Sequence, residues 1–235
     1  MGNQKKPIIG IVSKPVKYKV EPLWHYDELV DDLRFIMVSN GAIALGILPP
    51  SPTMEFNDND DLDPTVLSKE ELDDLYRVVD ICNGIILEGG LTSSAYEVEV
   101  ARYALQTGKP ILGICAGFNN LIRAMGGNVK VDPTETHNIY SNKTAHSIQI
   151  EKGSRLHEIL KTEHVMVNSI HVMVAHNADI KGLKPSAHSP DGLVEAVELE
   201  GTSFAMGIKW HPEIMLDENP KMNNIFTEFI KACMA

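Results

Sequence analysis

Two short segments carry residue types that can act together as a catalytic unit. The first is Lys109-Pro110-Ile111-Leu112-Gly113-Ile114-Cys115-Ala116-Gly117. It reads as a strand, then G-x-C-x-G, then the start of a helix. Glycines flanking the cysteine permit a turn sharp enough to hold the thiol strained and exposed above a sheet. A helix that begins at the next residue offers unpaired N–H groups and the positive end of its dipole. Both favour a thiolate over a thiol. The same N–H groups can hold the oxyanion that forms when a carbonyl is attacked. Taken alone, the motif describes equally well a buried cysteine in an ordinary glycine turn, since structural cysteines are commonly buried.

The second segment is Gly207-Ile208-Lys209-Trp210-His211-Pro212-Glu213, which leaves a strand near the C-terminus. His211 and Glu213 are two apart, so in extended backbone their side chains share a side. Pro212 stiffens the link between them. A carboxylate beside an imidazole fixes the ring's tautomer and stabilises its charged form. By itself such a pair is also an ordinary surface contact. Joined to the cysteine turn, it reads as base and orienter, with Cys115 the nucleophile, His211 the base and Glu213 the third member.

The elements that must position these residues alternate strand and helix. Ile8 to Val12 is a short β-branched run. Tyr26, Leu29, Val30, Leu33 and Met37 recur at helical spacing and predict a helix stopped by Asn40-Gly41. Ile43 to Leu48 reads as a buried strand ended by Pro49-Pro50. The acidic stretch from Asn57 to Asp63 lacks the glycine and final glutamate of a calcium loop and reads as solvated. Ser68 and Glu71 form a capping box for a helix running to Val79. Gly84 to Leu87 is a third strand, ending at Glu88-Gly89-Gly90, and a helix from about Ser94 to Gln106 stops at Gly108. Ile111 to Ile114 is a fourth strand, and the helix after Cys115 ends at Gly126-Gly127. This order predicts an α/β fold: a mostly parallel central sheet with helices on both faces. Beyond Val129, short strands at Ser147–Ile150, Val165–Val167, Val194–Leu199 and Phe204–Ile208 fit mixed strands at one edge of that sheet. A last helix, capped by Asn219 and opened by Pro220, places Met222, Ile225, Phe226, Phe229, Ile230 and Cys233 on one face. With no linker or repeat in view, residues 1–235 are expected to form a single domain.

Composition narrows the function. With 43% hydrophobic and 23% charged residues, the chain can bury a core without staples. A net charge of −11 repels phosphate backbones and anionic headgroups, so neither nucleic acid nor membrane is an expected partner. A small acidic substrate stays possible, because a pocket can be positive on a negative protein. Cys82, Cys115 and Cys233 form no C-x-x-C pair and no metal spacing, which fits a reducing cytoplasm. The first residues show no signal peptide, and no window approaches the roughly 18 apolar residues of a membrane span. The nine histidines show no H-E-x-x-H and no clustering, and Gly89-Gly90 and Gly126-Gly127 lack the spacing of a phosphate loop. Neither metal nor cofactor is expected.

The two catalytic segments, together with Leu87-Glu88-Gly89-Gly90, Val167-Asn168-Ser169-Ile170-His171 and Ser189-Pro190-Asp191-Gly192-Leu193-Val194-Glu195-Ala196-Val197-Glu198, resemble the class I glutamine amidotransferase superfamily in its γ-glutamyl hydrolase branch, the peptidase C26 group. The resemblance covers nearly the whole chain and implies the corresponding flavodoxin-like fold. It implies the Cys115–His211–Glu213 triad, an oxyanion hole from the amides of Gly90 and Ala116, and substrate contacts from Gly89, Asn119, Asn168, Ser169 and His171. Taken in isolation, His171 could also be a satisfied polar residue at a strand end. The chain departs from the branch where Ala116 and Asn119 replace an arginine and a glutamine. It departs again where Leu91-Thr92-Ser93-Ser94 replaces a long loop, and where the segment after Asn168-Ser169 reads His171-Val172-Met173 in place of a glutamine ending. Smaller walls imply a wider, less charged mouth, unless the stretch from Asn57 to Asp63 folds over it.

The resemblance therefore implies an enzyme that hydrolyses a γ-glutamyl amide through a γ-glutamyl thioester, releasing glutamate and an amine. Its expected partner is a small-molecule γ-glutamyl substrate. The alternative is a glutaminase subunit that supplies ammonia to a separate synthetase partner; a homo-oligomer is also compatible. A scaffold that merely kept the fold is disfavoured by the intact triad.

Overall fold

Short apolar runs separated by amphipathic helices become the strands of one continuous sheet. The computed structural model describes residues 5–18, 24–51, 66–90, 93–134, 136–140 and 144–234. The acidic stretch from Asn57 to Asp63, and Leu91 and Thr92 of the short segment after Gly90, lie outside the described residues.

The strands are β1 (Ile8–Val12), β2 (Lys14–Tyr18), β3 (Trp24–Glu28), β4 (Ile43–Ile47), β5 (Gly84–Leu87), β6 (Ile111–Ile114), β7 (Lys130–Val131), β8 (His146–Ile150), β9 (His164–Val167), β10 (Met173–Val174), β11 (Lys184–His188), β12 (Val194–Glu198) and β13 (Ala205–Ile208). The helices are α1 (Asp31–Ser39), α2 (Lys69–Ile81), α3 (Ala95–Gln106), α4 (Ala116–Ala124), α5 (Arg155–Leu160) and α6 (Asn223–Ala232). Nine strands form the central sheet in the order β4-β1-β5-β6-β13-β12-β11-β8-β9. The first five run parallel. The remaining four extend the sheet with antiparallel pairings. This is the α/β architecture expected, with its mixed strands gathered at one edge. No helix among the described residues is long and apolar enough to cross a membrane.

The continuous apolar runs resolve into two faces because side chains alternate along a strand. Ile9, Ile11, Ile86, Leu112, Ile114, Met206 and Ile208 pack with α1, α5 and α6. Val12, Ile85, Leu87, Ile111 and Ala205 face α2 and α3 on the other side. Cys233 belongs to the first of these cores, as the spacing of the last helix predicts. The capping box of Ser68 and Glu71 opens α2, and Ser94 with Glu97 forms another at α3.

Four elements differ from the sequence expectation. Strand β4, expected to be buried, is the edge of the sheet, with Ile43 exposed. The helix predicted from Tyr26 begins only at Asp31; residues 24–28 are strand β3, paired antiparallel with β2, Val16 opposite Tyr26. Tyr26 and Leu29 fall on the helical period by coincidence, and cross-strand pairing takes up the backbone that a helix would need. Strand β11 escapes periodicity because Lys-Pro-Ser-Ala-His does not alternate. It pairs with β12 through register shifts around Pro185 and Ala187, where proline is tolerated. Helix α5 is six residues long, too short to show a period; Ser154 caps it by accepting a hydrogen bond from the His157 N–H.

The junction of β6 and α4 is the tightest crossing in the fold. A Cβ on Gly117 would lie 2.1 Å from the Leu87 carbonyl oxygen, and one on Gly113 would lie 2.5 Å from the Gly117 carbonyl oxygen. Helix α4 therefore presses its first turn against β5 and β6 with no room for a side chain. Gly117→Ala is expected to lower stability by about 3 kcal/mol, since backbone must move to admit the methyl group. Gly153→Ala has left-handed backbone but open space around it, and is expected to lower stability by about 1–2 kcal/mol. Equilibrium denaturant unfolding of both variants measures the difference.

Candidate active site

Cys115 is placed by the chain's sharpest turn. It has φ +51° and ψ −99°, a left-handed backbone that side chains rarely adopt. Its N–H donates to the Ile208 carbonyl at 2.9 Å, and its carbonyl accepts from the Asn119 N–H at 3.3 Å. One bond ties it to β13 and the other to α4, so the residue is held from both sides. Strain of this kind is worth about 1–3 kcal/mol and persists only where the surroundings over-determine it. The side chain is 5% exposed, at the positive end of α4.

His211 arrives from β13, three residues past the end of the strand, and Glu213 sits in the 3-10 turn Pro212–Ile214 that follows. His211 Nδ1 lies 2.6 Å from Glu213 Oε1. A ring nitrogen facing a carboxylate carries its N–H toward it, which leaves Nε2 for the hydrogen bond that the ring shares with the Cys115 thiol. Glu213 is buried. The backbone of His211 is held at two points: its N–H donates to Asn168 Oδ1 at 2.8 Å, and its carbonyl accepts from Asn168 Nδ2 at 2.9 Å. Gly89 lies under the ring, where a Cβ would come within 2.4 Å of His211 Cε1.

Charge follows from this geometry. Burial pushes the Cys115 thiol up, but the charge and hydrogen bond of His211, with the ammonium of Lys209, outweigh it and bring the thiol down to about 7. For His211, burial disfavours the charged ring, yet Cys115 and Glu213 together hold it well above the usual histidine range. The resting pair is thus a thiolate facing an imidazolium. Burial has no such opposition at the other cysteines: it pushes Cys82 up, and Cys233 up to about 12.

The cavity over the thiol encloses about 70 Å³ and is bounded by Gly90, Cys115, Ala116, Asn119, Asn138, Tyr140 and the run from Ile170 to Met173, with Lys209 beneath. Gly90, Ala116, Asn119 and His171 therefore line the cavity with the nucleophile. Gly89, Asn168 and Ser169 are not among its lining residues. Asn168 clamps His211, and the Ser169 hydroxyl donates to the His137 carbonyl at 2.9 Å. The wide and weakly charged mouth expected from Ala116 and Asn119 does not appear among the described residues. Segments 138–140 and 170–173 close over the space that the small side chains leave, and Lys209 supplies a cation. Its Nζ donates to Asn119 Oδ1 at 2.8 Å and stands 5.3 Å from the Phe118 ring centroid.

Sequence reasoning passed over Lys209, although a lysine between Ile208 and Trp210 in an apolar strand end was a visible signal. It also passed over the support behind Gly90. There, buried Glu97 accepts from Lys14 Nζ, from Asn120 Nδ2 at 3.1 Å and from the Ser94 N–H at 2.7 Å. The expectation that the histidines do not cluster is corrected by the fold. His137, His146 and His171, from three separate segments, gather around Glu195.

Comparison with known proteins bears on the family and the fold. Residues 91–213, just over half of the chain, match the peptidase C26 family. The γ-glutamyl-γ-aminobutyrate hydrolase PuuD of Escherichia coli is 33% identical over 147 residues, which span 57% of this chain and 58% of that protein. The match thus reaches little more than half of that relative's length. Among solved structures, the glutaminase domain of Trypanosoma brucei CTPS with bound acivicin superposes with a TM-score of 0.65 at 17% identity, covering 97% of this chain and 94% of that one. A glutamine amidotransferase from Thermotoga maritima gives 0.62 at 10% identity, covering 98% and 99%. At such low identities these two show a shared fold.

The thiolate–imidazolium pair has a direct signature. The rate of Cys115 alkylation by iodoacetamide is expected to rise with pH through a midpoint near 7, while Cys82 and Cys233 stay unreactive there. His211→Ala removes the cation that lowers the thiol, so the midpoint should move up. Lys209→Met should move it up by less. An alkylation profile unchanged by both substitutions would remove the histidine and lysine as the cause.

Proposed function

The chain belongs to the peptidase C26 family, and on that premise we propose that it hydrolyses a γ-glutamyl amide through a γ-glutamyl thioester. The observation that carries the reading is the Cys115 thiol, strained at the β6–α4 junction and hydrogen-bonded to a His211 ring whose Nδ1 lies 2.6 Å from Glu213. The Cys115 thiolate attacks the side-chain carbonyl carbon of the γ-glutamyl group. A C–S bond forms and the carbonyl electron pair moves to oxygen, where the N–H groups of Gly90 and Ala116 receive it. His211 gives its Nε2 proton to the leaving nitrogen, the C–N bond breaks, and the amine departs. Water then attacks the thioester as His211 takes one of its protons. The C–S bond breaks, glutamate leaves, and the thiolate–imidazolium pair is restored. Glu213 keeps the ring in one tautomer throughout. Lys209 beside Asn119 supports a carboxylate in the cavity, as a glutamyl end requires.

The experiment is glutamate release from glutamine, γ-glutamyl-γ-aminobutyrate and several bulkier γ-glutamyl amides. Segments 138–140 and 170–173 close the cavity over Ala116 and Asn119, so glutamine and γ-glutamyl-γ-aminobutyrate are expected to be cleaved faster than the bulkier amides. A clear preference for the bulkier amides would show that the small side chains at Ala116 and Asn119, and not the closing segments, set the choice. Release from glutamine alone would favour a glutaminase that serves a synthetase, and no release from any compound would overturn the reading. Cys115→Ala is expected to lower kcat by about 10³-fold or more, since only binding and oxyanion effects remain. His211→Ala should be about as damaging, because nucleophile and base act as a unit, while Glu213→Gln should lose less. Cys82→Ala and Cys233→Ala should leave the rate nearly unchanged.

A further inference from the structure

Glu195 lies in β12 and is 1% exposed, and neither of its carboxylate oxygens has a hydrogen-bond partner among the described residues. Three imidazole nitrogens converge on its Oε1: His137 Nδ1 at 3.6 Å, His171 Nε2 at 3.8 Å and His146 Nε2 at 3.9 Å. The opposite nitrogen of every ring is engaged elsewhere. His137 Nε2 lies 3.0 Å from Asp191 Oδ2, His146 Nδ1 lies 3.2 Å from the Ser147 carbonyl, and His171 Nδ1 lies 3.2 Å from the Met173 carbonyl. A ring nitrogen facing a carbonyl or carboxylate carries the N–H, so in each neutral ring the nitrogen turned toward Glu195 presents a lone pair.

One proton on the Glu195 carboxyl would satisfy one of the three inward nitrogens and leave the other two as lone pairs facing each other. Ser169 Oγ stands 3.1 Å from His137 Nδ1, 3.2 Å from His171 Nε2 and 2.9 Å from the His137 carbonyl, so its single proton can serve only one of them. His146 Nε2 is buried with no hydrogen-bond partner among the described residues. Buried lone pairs facing one another are costly unless something electrophilic lies between them.

We propose that His137, His146 and Glu195, with His171 as a fourth donor, form a buried site for one divalent transition-metal ion of the zinc class. The donor atoms of the first three all lie within 4.8 Å of one another. Tetrahedral bonds of about 2.0–2.1 Å place ligand atoms about 3.3–3.5 Å apart. The observed separations from Glu195 need to close by only a few tenths of an ångström. Three imidazoles and one carboxylate suit zinc, cobalt or nickel better than calcium or magnesium, which take oxygen ligands. The partners at the outer nitrogens, one carboxylate and two carbonyls, are those that orient metal-bound histidines and fix their tautomers. The ion would join the loop carrying His137, the start of β8, the Asn168–Met173 segment and β12. That segment holds both the Asn168 clamp on His211 and the cavity wall at Ile170 and His171.

The test uses the full chain carrying Cys115→Ala, so that the thiolate and His211 cannot supply a metal site of their own. After treatment with a chelator and its removal, the protein is titrated with Zn²⁺ and with Co²⁺. One equivalent per chain is expected, and the Co²⁺ form should show the intense visible absorption of four-coordinate nitrogen and oxygen ligation. Adding His146→Gln or Glu195→Gln should abolish stoichiometric binding. Asp191 is half-exposed, so Asp191→Ala should fold even where the buried substitutions do not; it is expected to weaken affinity by about 10–100-fold. No stoichiometric uptake, a weak six-coordinate Co²⁺ spectrum, or an affinity unmoved by Asp191→Ala would overturn the proposal. Any of these would leave a network held by protons alone. None bears on hydrolysis, which is measured separately.

Discussion

Cys115 occupies a backbone conformation that an L-residue accepts only when its neighbours leave it no alternative. Those neighbours are specific: Gly117 lies against the Leu87 carbonyl, Gly113 lies against Gly117, and the Cys115 N–H is fixed to Ile208. Moving α4 outward by the width of a methyl group would relax the turn, carry the thiol away from His211, and separate the helix's first N–H groups from the cavity. The parallel half of the sheet, β5, β6 and β13 side by side, is what makes that movement expensive. The large apolar cores on both faces thus bear on the active site through one crowded contact.

Electrostatics works against the sign of the whole molecule. The chain carries −11, yet Lys209 lines the cavity and the ring of His211, held charged, acts on the Cys115 thiol. Away from bulk water these nearby cations dominate over the diffuse acidic surface, because screening by solvent is weak inside and strong outside. That local reversal is what lowers the pKa of a buried thiol, which burial alone would keep neutral. Cys233 shows the other outcome, the same group in an apolar core with its thiol raised to about 12.

The segment from Asn168 to Met173 joins two networks. Its first residue grips the His211 backbone, its middle forms the cavity wall, and His171 turns its Nε2 toward Glu195. Whatever neutralises the surplus of lone pairs around Glu195 also fixes this segment. The backbone of His211 and that buried cluster are joined through this one short segment.

The alternation of apolar runs with helical periods was enough to read the parallel core, and local chemistry was enough to bring Cys115, His211 and Glu213 forward as a candidate triad. G-x-C-x-G between a strand and a helix, and His-Pro-Glu leaving a strand, each state a geometry that depends on near neighbours alone. Short or irregular pieces were not legible: β11 with its proline, the six residues of α5, and the hairpin partner of β2 gain their structure from pairing rather than from period. The distribution of roles around the cavity was not legible either. Nothing in the sequence says that Asn168 holds a backbone rather than a substrate, or that Lys209 stands beside Asn119. Nor does it say that His137, His146 and His171 meet at Glu195. Residues scattered over some sixty positions meet only after the antiparallel strands fold back across the sheet, and spacing along a chain carries no record of such a meeting.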